Sequence, residues 1–187
     1  MIERDSFELS APLDATAMQV LAAFLDPEAV KTWWAAKTVV VQPRPGGLFV
    51  IEREPGQAGQ DELLGPLGGT LVGTLDKAMA GHHIDFGNLH WLSPRGEVFG
   101  PTRLEVTVFS KNDPRCRPTL LRIRSTGYQS GERWARYLDV TRREWEGMLV
   151  RLTAFCAQQS PAAAERLVGV LGTTFLAEAV LQGRHIS

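Results

Sequence analysis

"STGYQSGERW", residues 125–134, joins two kinds of periodicity. Before it, "TLLRIRST" alternates as a strand does. After it, apolar residues recur every three or four positions over 25 residues. Trp134, Leu138, Thr141, Trp145, Met148, Leu152 and Phe155 form a stripe in which six of the seven residues are apolar. Arg133, Arg136, Asp139, Arg143 and Glu146 fall on the other side, with Glu132/Arg136 and Asp139/Arg143 spaced i,i+4 for an exposed face. The spacing predicts a long helix over 132–156, with Ser130 reading as its N-cap.

Upstream, residues 2–10 read as an edge strand stopped by Pro12, and Asp14 reads as the cap of a short amphipathic helix through Leu25. In "DPEAVKTWW" Asp26 is the cap and Pro27 the first helical residue of a second short helix, which ends on Trp33 and Trp34. "KTVVV" and "LFVIE" flank the turn "PRPGG" as a hairpin, and four further strand-like runs reach residue 128. Residues 54–69 hold five glycines and two prolines and read as a surface loop. The order is one of short helices, a six-stranded meander and a long closing helix.

The chain has 187 residues, 44% hydrophobic and 22% charged, as expected of one globular domain. A formal charge of −1 gives no broad field for nucleic acid or anionic membrane. Arg115, Arg117, Arg122 and Arg124 lack interleaved aromatics and read as a solvated sheet face. Cys116 and Cys156 lie far apart and read as reduced thiols. No apolar run is long enough for a membrane span and "MIERDSFELSAP" carries charges where a signal peptide needs an apolar run, so a cytoplasmic protein without membrane insertion is expected.

Catalytic motifs are weak. "GYQSG" places Ser130 three residues after Gly127, where a nucleophile elbow needs two. His82 and His83 are adjacent, so on a strand they point to opposite faces and cannot share a metal. The glycines of the 54–69 loop lack the pattern of a phosphate or dinucleotide loop. Neither metal nor cofactor is expected.

"LDPEAVKTWW", "PGGLFVIE", "IDFGNLHWLSP", "PTRLEVTV" and the stretch from 119 to 152 resemble the START-like (SRPBCC, Bet v 1-like) superfamily, in the branch named for the activator of Hsp90 ATPase. The resemblance covers about residues 2–157 and rests most on the glycine-then-tryptophan step into the last helix and on the double tryptophan. It implies an α+β helix-grip fold, a curved antiparallel sheet wrapped around the C-terminal helix, as a domain over 1–158; the tail from 161 onward has no counterpart in the resemblance and, apolar on most of its circumference, reads as a helical extension at 159–187. The resemblance also implies a cavity between sheet and helix for a hydrophobic or amphipathic small molecule, lipids included.

In that frame Trp33, Trp34 and the 54–69 loop would form the mouth, Phe49 and Ile51 one wall, and Trp134, Leu138, Trp145 and Met148 the helix side. Tyr128 would reach the rim past a kink at Gly127, and Arg53 would either meet an acidic headgroup or form a surface ion pair. Strict alternation in "HIDFGNLHW" puts Ile84, Phe86, Asn88 and His90 on the inner face; a bulge would instead turn Leu89 and Trp91 inward and His90 out.

Two alternatives accompany small-molecule binding. One is a cyclase, dehydratase or hydrolase on an aromatic or polyketide-like substrate, with His90 as acid/base and Asn88 or Arg53 orienting. The other is a chaperone-associated or self-associating protein, pairing as a homodimer through apolar residues 167–181.

Overall fold

The computed structural model describes residues 5–55, 67–110 and 117–159, with residues 162, 165, 166 and 169 beyond them. The described elements run β1 (Ser6–Leu13), α1 (Ala17–Leu25), α2 (Pro27–Trp33), β2 (Thr38–Val41), β3 (Gly47–Arg53), β4 (Gly69–Met79), β5 (His83–Leu92), β6 (Val98–Ser110), β7 (Thr119–Thr126) and α3 (Glu132–Gln158). The strands form one antiparallel sheet in the order β1-β7-β6-β5-β4-β3-β2. It is a meander of hairpins closed by β1, which lies beside β7. The sheet is curved and α3 lies across it, the helix-grip arrangement. The extension at 159–187 and residues 56–66 of the glycine-rich loop fall, but for a few positions, outside the described residues.

The helix starts depart from expectation in instructive ways. Thr16, not Asp14, caps α1: its hydroxyl accepts from Gln19 N while Gln19 Oε1 accepts from Thr16 N at 2.8 Å, a reciprocal capping box. Asp26 caps α2 through Ala29 N with Pro27 at the first position, as read from the sequence. The N-cap of α3 is Gly131, not Ser130, and no side chain closes the cap. Gly131 has φ +109°, which an L side chain rarely adopts, so the turn into α3 requires glycine there. Pro12 lies inside β1 instead of ending it, which an edge strand tolerates because one row of its N–H groups has no partner.

Bulges bend the sheet. Along β4 and β5 the register shifts between Val72 and Thr74, Leu75 and Lys77, Phe86 and Leu89, and Leu89 and Trp91. Glycine permits the close strand approach at these bends: a Cβ on Gly73 would fall 2.6 Å from Leu89 Cδ2, and one on Gly87 1.9 Å from Asp76 Oδ2. Asn88 supplies the extra residue in the left-handed region, φ +49°.

Two aromatic clusters fill the space between the sheet and the helices. At one end Phe24, Trp33, Trp34, Trp145, Phe49 and Phe86 pack in sequence, with centroids 4.2–6.4 Å apart. At the other, Phe7, Tyr128, Trp134, Tyr137, Phe99 and Trp91 do the same at 4.4–6.4 Å. Gly127, at φ +89°, breaks the β7 alternation so that Tyr128 turns inward, where its hydroxyl meets Ser125 Oγ at 2.9 Å. This second cluster is what a strand ending in tyrosine and a helix opening with tryptophan achieve together: they clamp the first two turns of α3 onto β6.

Trp33 is the keystone of the first cluster. It is buried, it touches Phe24, Trp34 and Trp145, and its indole donates to Ala23 O at 2.8 Å. Trp33→Ala is expected to cost about 3–5 kcal/mol. Val150→Ala, at the most exposed apolar position of α3, should stay within about 0.5 kcal/mol, and chemical denaturation compares the two.

Burial also sets the alkaline limit. Tyr128 is pushed up from 10.0 to about 12 and Cys156 from 9.0 to about 12, each chiefly because burial disfavours its anion. Both native values lie above the unfolded ones. The stabilisation is therefore full below about pH 9 and is lost as pH rises toward 12, because the unfolded chain releases these protons first. Urea midpoints should fall steadily between about pH 9 and pH 11.5, and Tyr128→Phe should flatten that decline.

Candidate ligand site

Between the two aromatic clusters the packing opens. A cavity of about 60 Å³, partly open to solvent, is lined by Trp34, Ile51, Arg53, Leu67, Gly69, Leu71, Trp91, Tyr137, Thr141, Trp145 and Met148. The described core residues pack around it beneath α3. The cause lies in α3 itself. Tyr137, Thr141 and Trp145 follow one another at four-residue intervals on the sheet-facing side, and the middle one is small. Trp91 stacks on Tyr137 at 5.6 Å and Trp34 meets Trp145 edge-on at 4.9 Å, so ring pairs form the two ends and Thr141 the roof.

The polar groups at the site are mostly donors. Arg53, at the end of β3, pairs with Glu144 of α3 through Nη1 and Oε2 at 3.1 Å, with side chains only 18% and 24% exposed. It forms an ion pair that ties the sheet to the helix, and it borders the cavity as well. About two turns further along α3, Arg151 Nε donates to Trp33 O at 3.0 Å, which fixes the end of α2. Burial first and the nearby Arg53 second hold the Arg151 guanidinium below its usual range, with Glu144 partly offsetting them. Two buried atoms on the lining lack hydrogen-bond partners: Trp91 Nε1 and Thr141 Oγ1. Thr141 lies close enough to the Tyr128 and Tyr137 phenols to influence their ionisation, yet forms no hydrogen bond of normal geometry with them.

Of the residues expected at the site, Trp34, Ile51, Trp145 and Met148 border the cavity, and Arg53 does too. Trp33, Phe49, Phe86, Tyr128, Trp134 and Leu138 are buried but belong to the packed core around it. Asn88 and His90 are not under the helix. The extra residue between Phe86 and Leu89 resets the pleat, so Leu89 and Trp91 are buried while Asn88 is exposed and His90 half-buried. His90 Nδ1 lies 3.0 Å from Asn88 O, and its ring sits against Gly100, away from the lining. An acid/base role for His90 beneath α3 loses its geometry with that placement. Leu67, Gly69, Leu71, Tyr137 and Thr141 line the cavity as well without having been named for it individually, and Trp91 lines it as in the bulged alternative for its strand. Thr141 stood out as the one polar member of the helix stripe, and Trp91 could be placed only by knowing the bulge.

Among the described residues no group of three or more His, Cys, Asp or Glu is placed to hold a metal ion, and no helix is long and apolar enough to cross a membrane.

Solved structures share this architecture at low sequence identity. A Chromobacterium violaceum protein, CV1439, is 18% identical with a TM-score of 0.60, over 83% of this chain and 100% of that one. The Aha1 dimer from Colwellia psychrerythraea is 12% identical with a TM-score of 0.59, over 81% and 95%. An HSP90 activator from Plasmodium falciparum, PFC0360w, is 14% identical with a TM-score of 0.58, over 80% and 94%. Likeness at such identities establishes the fold. No curated protein matches the chain. Residues 14–157, from the loop before α1 to the last turn of α3, match the family described as Activator of Hsp90 ATPase homolog 1-like protein, and the chain belongs to that family.

Proposed function

We propose that this domain binds a small amphipathic molecule in the space between sheet and α3. The observation that carries the reading is the position of the cavity: an opening bounded by Trp34, Trp91, Tyr137 and Trp145, between two packed clusters of aromatic rings. Mostly apolar walls with a few polar groups are the usual make-up of a ligand site. A cavity of about 60 Å³ is small for this purpose, below the roughly 150 Å³ that holds benzene. The guest is therefore either small or only partly enclosed.

Thr141→Leu tests the assignment, because it fills the roof without disturbing either ring pair. Native mass spectrometry of the purified protein is expected to detect a bound small molecule on the unaltered chain and none on the variant. The variant should melt at the same or a higher temperature, since it replaces a buried hydroxyl lacking a partner. Equal ligand occupancy in both proteins would reject the cavity as the site.

A second reading, a chaperone-associated role, is favoured by the family description and by the Plasmodium neighbour. Self-association through residues 159–187 belongs to the same class. An Hsp90 supplied with this chain is expected, on that reading, to hydrolyse ATP at least several-fold faster. An unchanged turnover across a concentration series would reject it.

A further inference from the structure

The cavity has an imbalance between donors and acceptors. Trp91 Nε1–H can only donate, is buried, and has no partner. Arg53, whose guanidinium can only donate, borders the same space and bonds Glu144 through Nη1. The carboxylate of Glu144 is engaged by Arg53. Thr141 Oγ1, which can donate or accept, is the remaining unpartnered polar atom of the lining.

A buried donor without a partner costs about 1–3 kcal/mol, and native proteins retain such groups where something else supplies the acceptor. Here the acceptor would come from the guest. Size points the same way: the enclosed volume is too small for a whole hydrocarbon body and large enough for a polar head of a few atoms. Resting on the ligand-binding reading above, we infer that the guest is a monocarboxylate with an apolar body. Its carboxylate enters between Trp91 and Arg53, and its body lies along Trp34 and Trp145 toward the open side. A neutral lipid or bare hydrocarbon would leave the indole donor unpaired and gain little from Arg53.

The test uses 4-phenylbutyrate and propylbenzene, which differ only by the carboxylate. Each is titrated into the full chain while the indole N–H resonances of its five tryptophans are followed by NMR. The Trp91 resonance is assigned by its disappearance in Trp91→Phe, a variant that keeps the ring packing and removes the donor. The expected result is that 4-phenylbutyrate shifts the Trp91 indole proton downfield and binds at least about tenfold tighter than propylbenzene. Trp91→Phe should weaken the acid about tenfold or more and propylbenzene by much less. Equal affinity for both probes at the cavity-lining residues, unaltered in Trp91→Phe, would overturn the carboxylate assignment and leave the binding reading intact. If neither probe moves any resonance of a lining residue, both fail.

Discussion

A helix can rest flat on a sheet, or it can be held slightly off by side chains too wide to interdigitate. The second condition governs this protein. Twelve aromatic rings, six at each end, stand between α3 and its surroundings, and their size fixes the distance between helix and sheet. Rings pack edge-to-face or offset at 4.5–7 Å and cannot flow into whatever space remains, as a flexible methionine can. Where the two sets meet over a threonine, the space is left unfilled. The site is thus a product of spacing between rigid groups.

Curvature is the complementary requirement, and it comes from local backbone chemistry. Gly73 and Gly87 let β4 and β5 approach where any larger residue would collide with Leu89 or Asp76, and Asn88 takes up an extra residue in a left-handed conformation. These bends turn Trp91 toward α3 and His90 away from it. A single inserted residue therefore decides that the inner wall carries an indole and the outer face an imidazole, which changes the chemistry available to a guest from proton transfer to hydrogen-bond donation.

This also explains what could and could not be read from the amino-acid order. Helix periodicity is robust to small errors, because α3 buries Trp134, Leu138, Trp145, Met148 and Leu152 whichever residue begins it. Asp26 and Pro27 specify the start of α2 locally and were legible for that reason. Strand facing has a period of two, so one bulge inverts every assignment beyond it, and the sequence signal for a bulge, a Gly-Asn pair, also fits an ordinary strand defect. The capping of α1 was misplaced by two residues because both Asp14 and Thr16 are good cap formers, and only the reciprocal bond with Gln19 favours the second. Which buried aromatics border the cavity and which are core depends on how rings tilt against one another, and residue order carries little of that.

Two ties described earlier bear on how the gap could widen. Glu144 grips Arg53 on the sheet, and Arg151 grips the last carbonyl of α2, so α3 is pinned at points flanking Trp145. Lifting the helix as a rigid rod would break a partly buried ion pair and strand a buried guanidinium, an expensive route. The same pair holds the end of β3, so the β2–β3 edge of the sheet is carried along with α3, and any widening of the gap must first release Arg53 from Glu144.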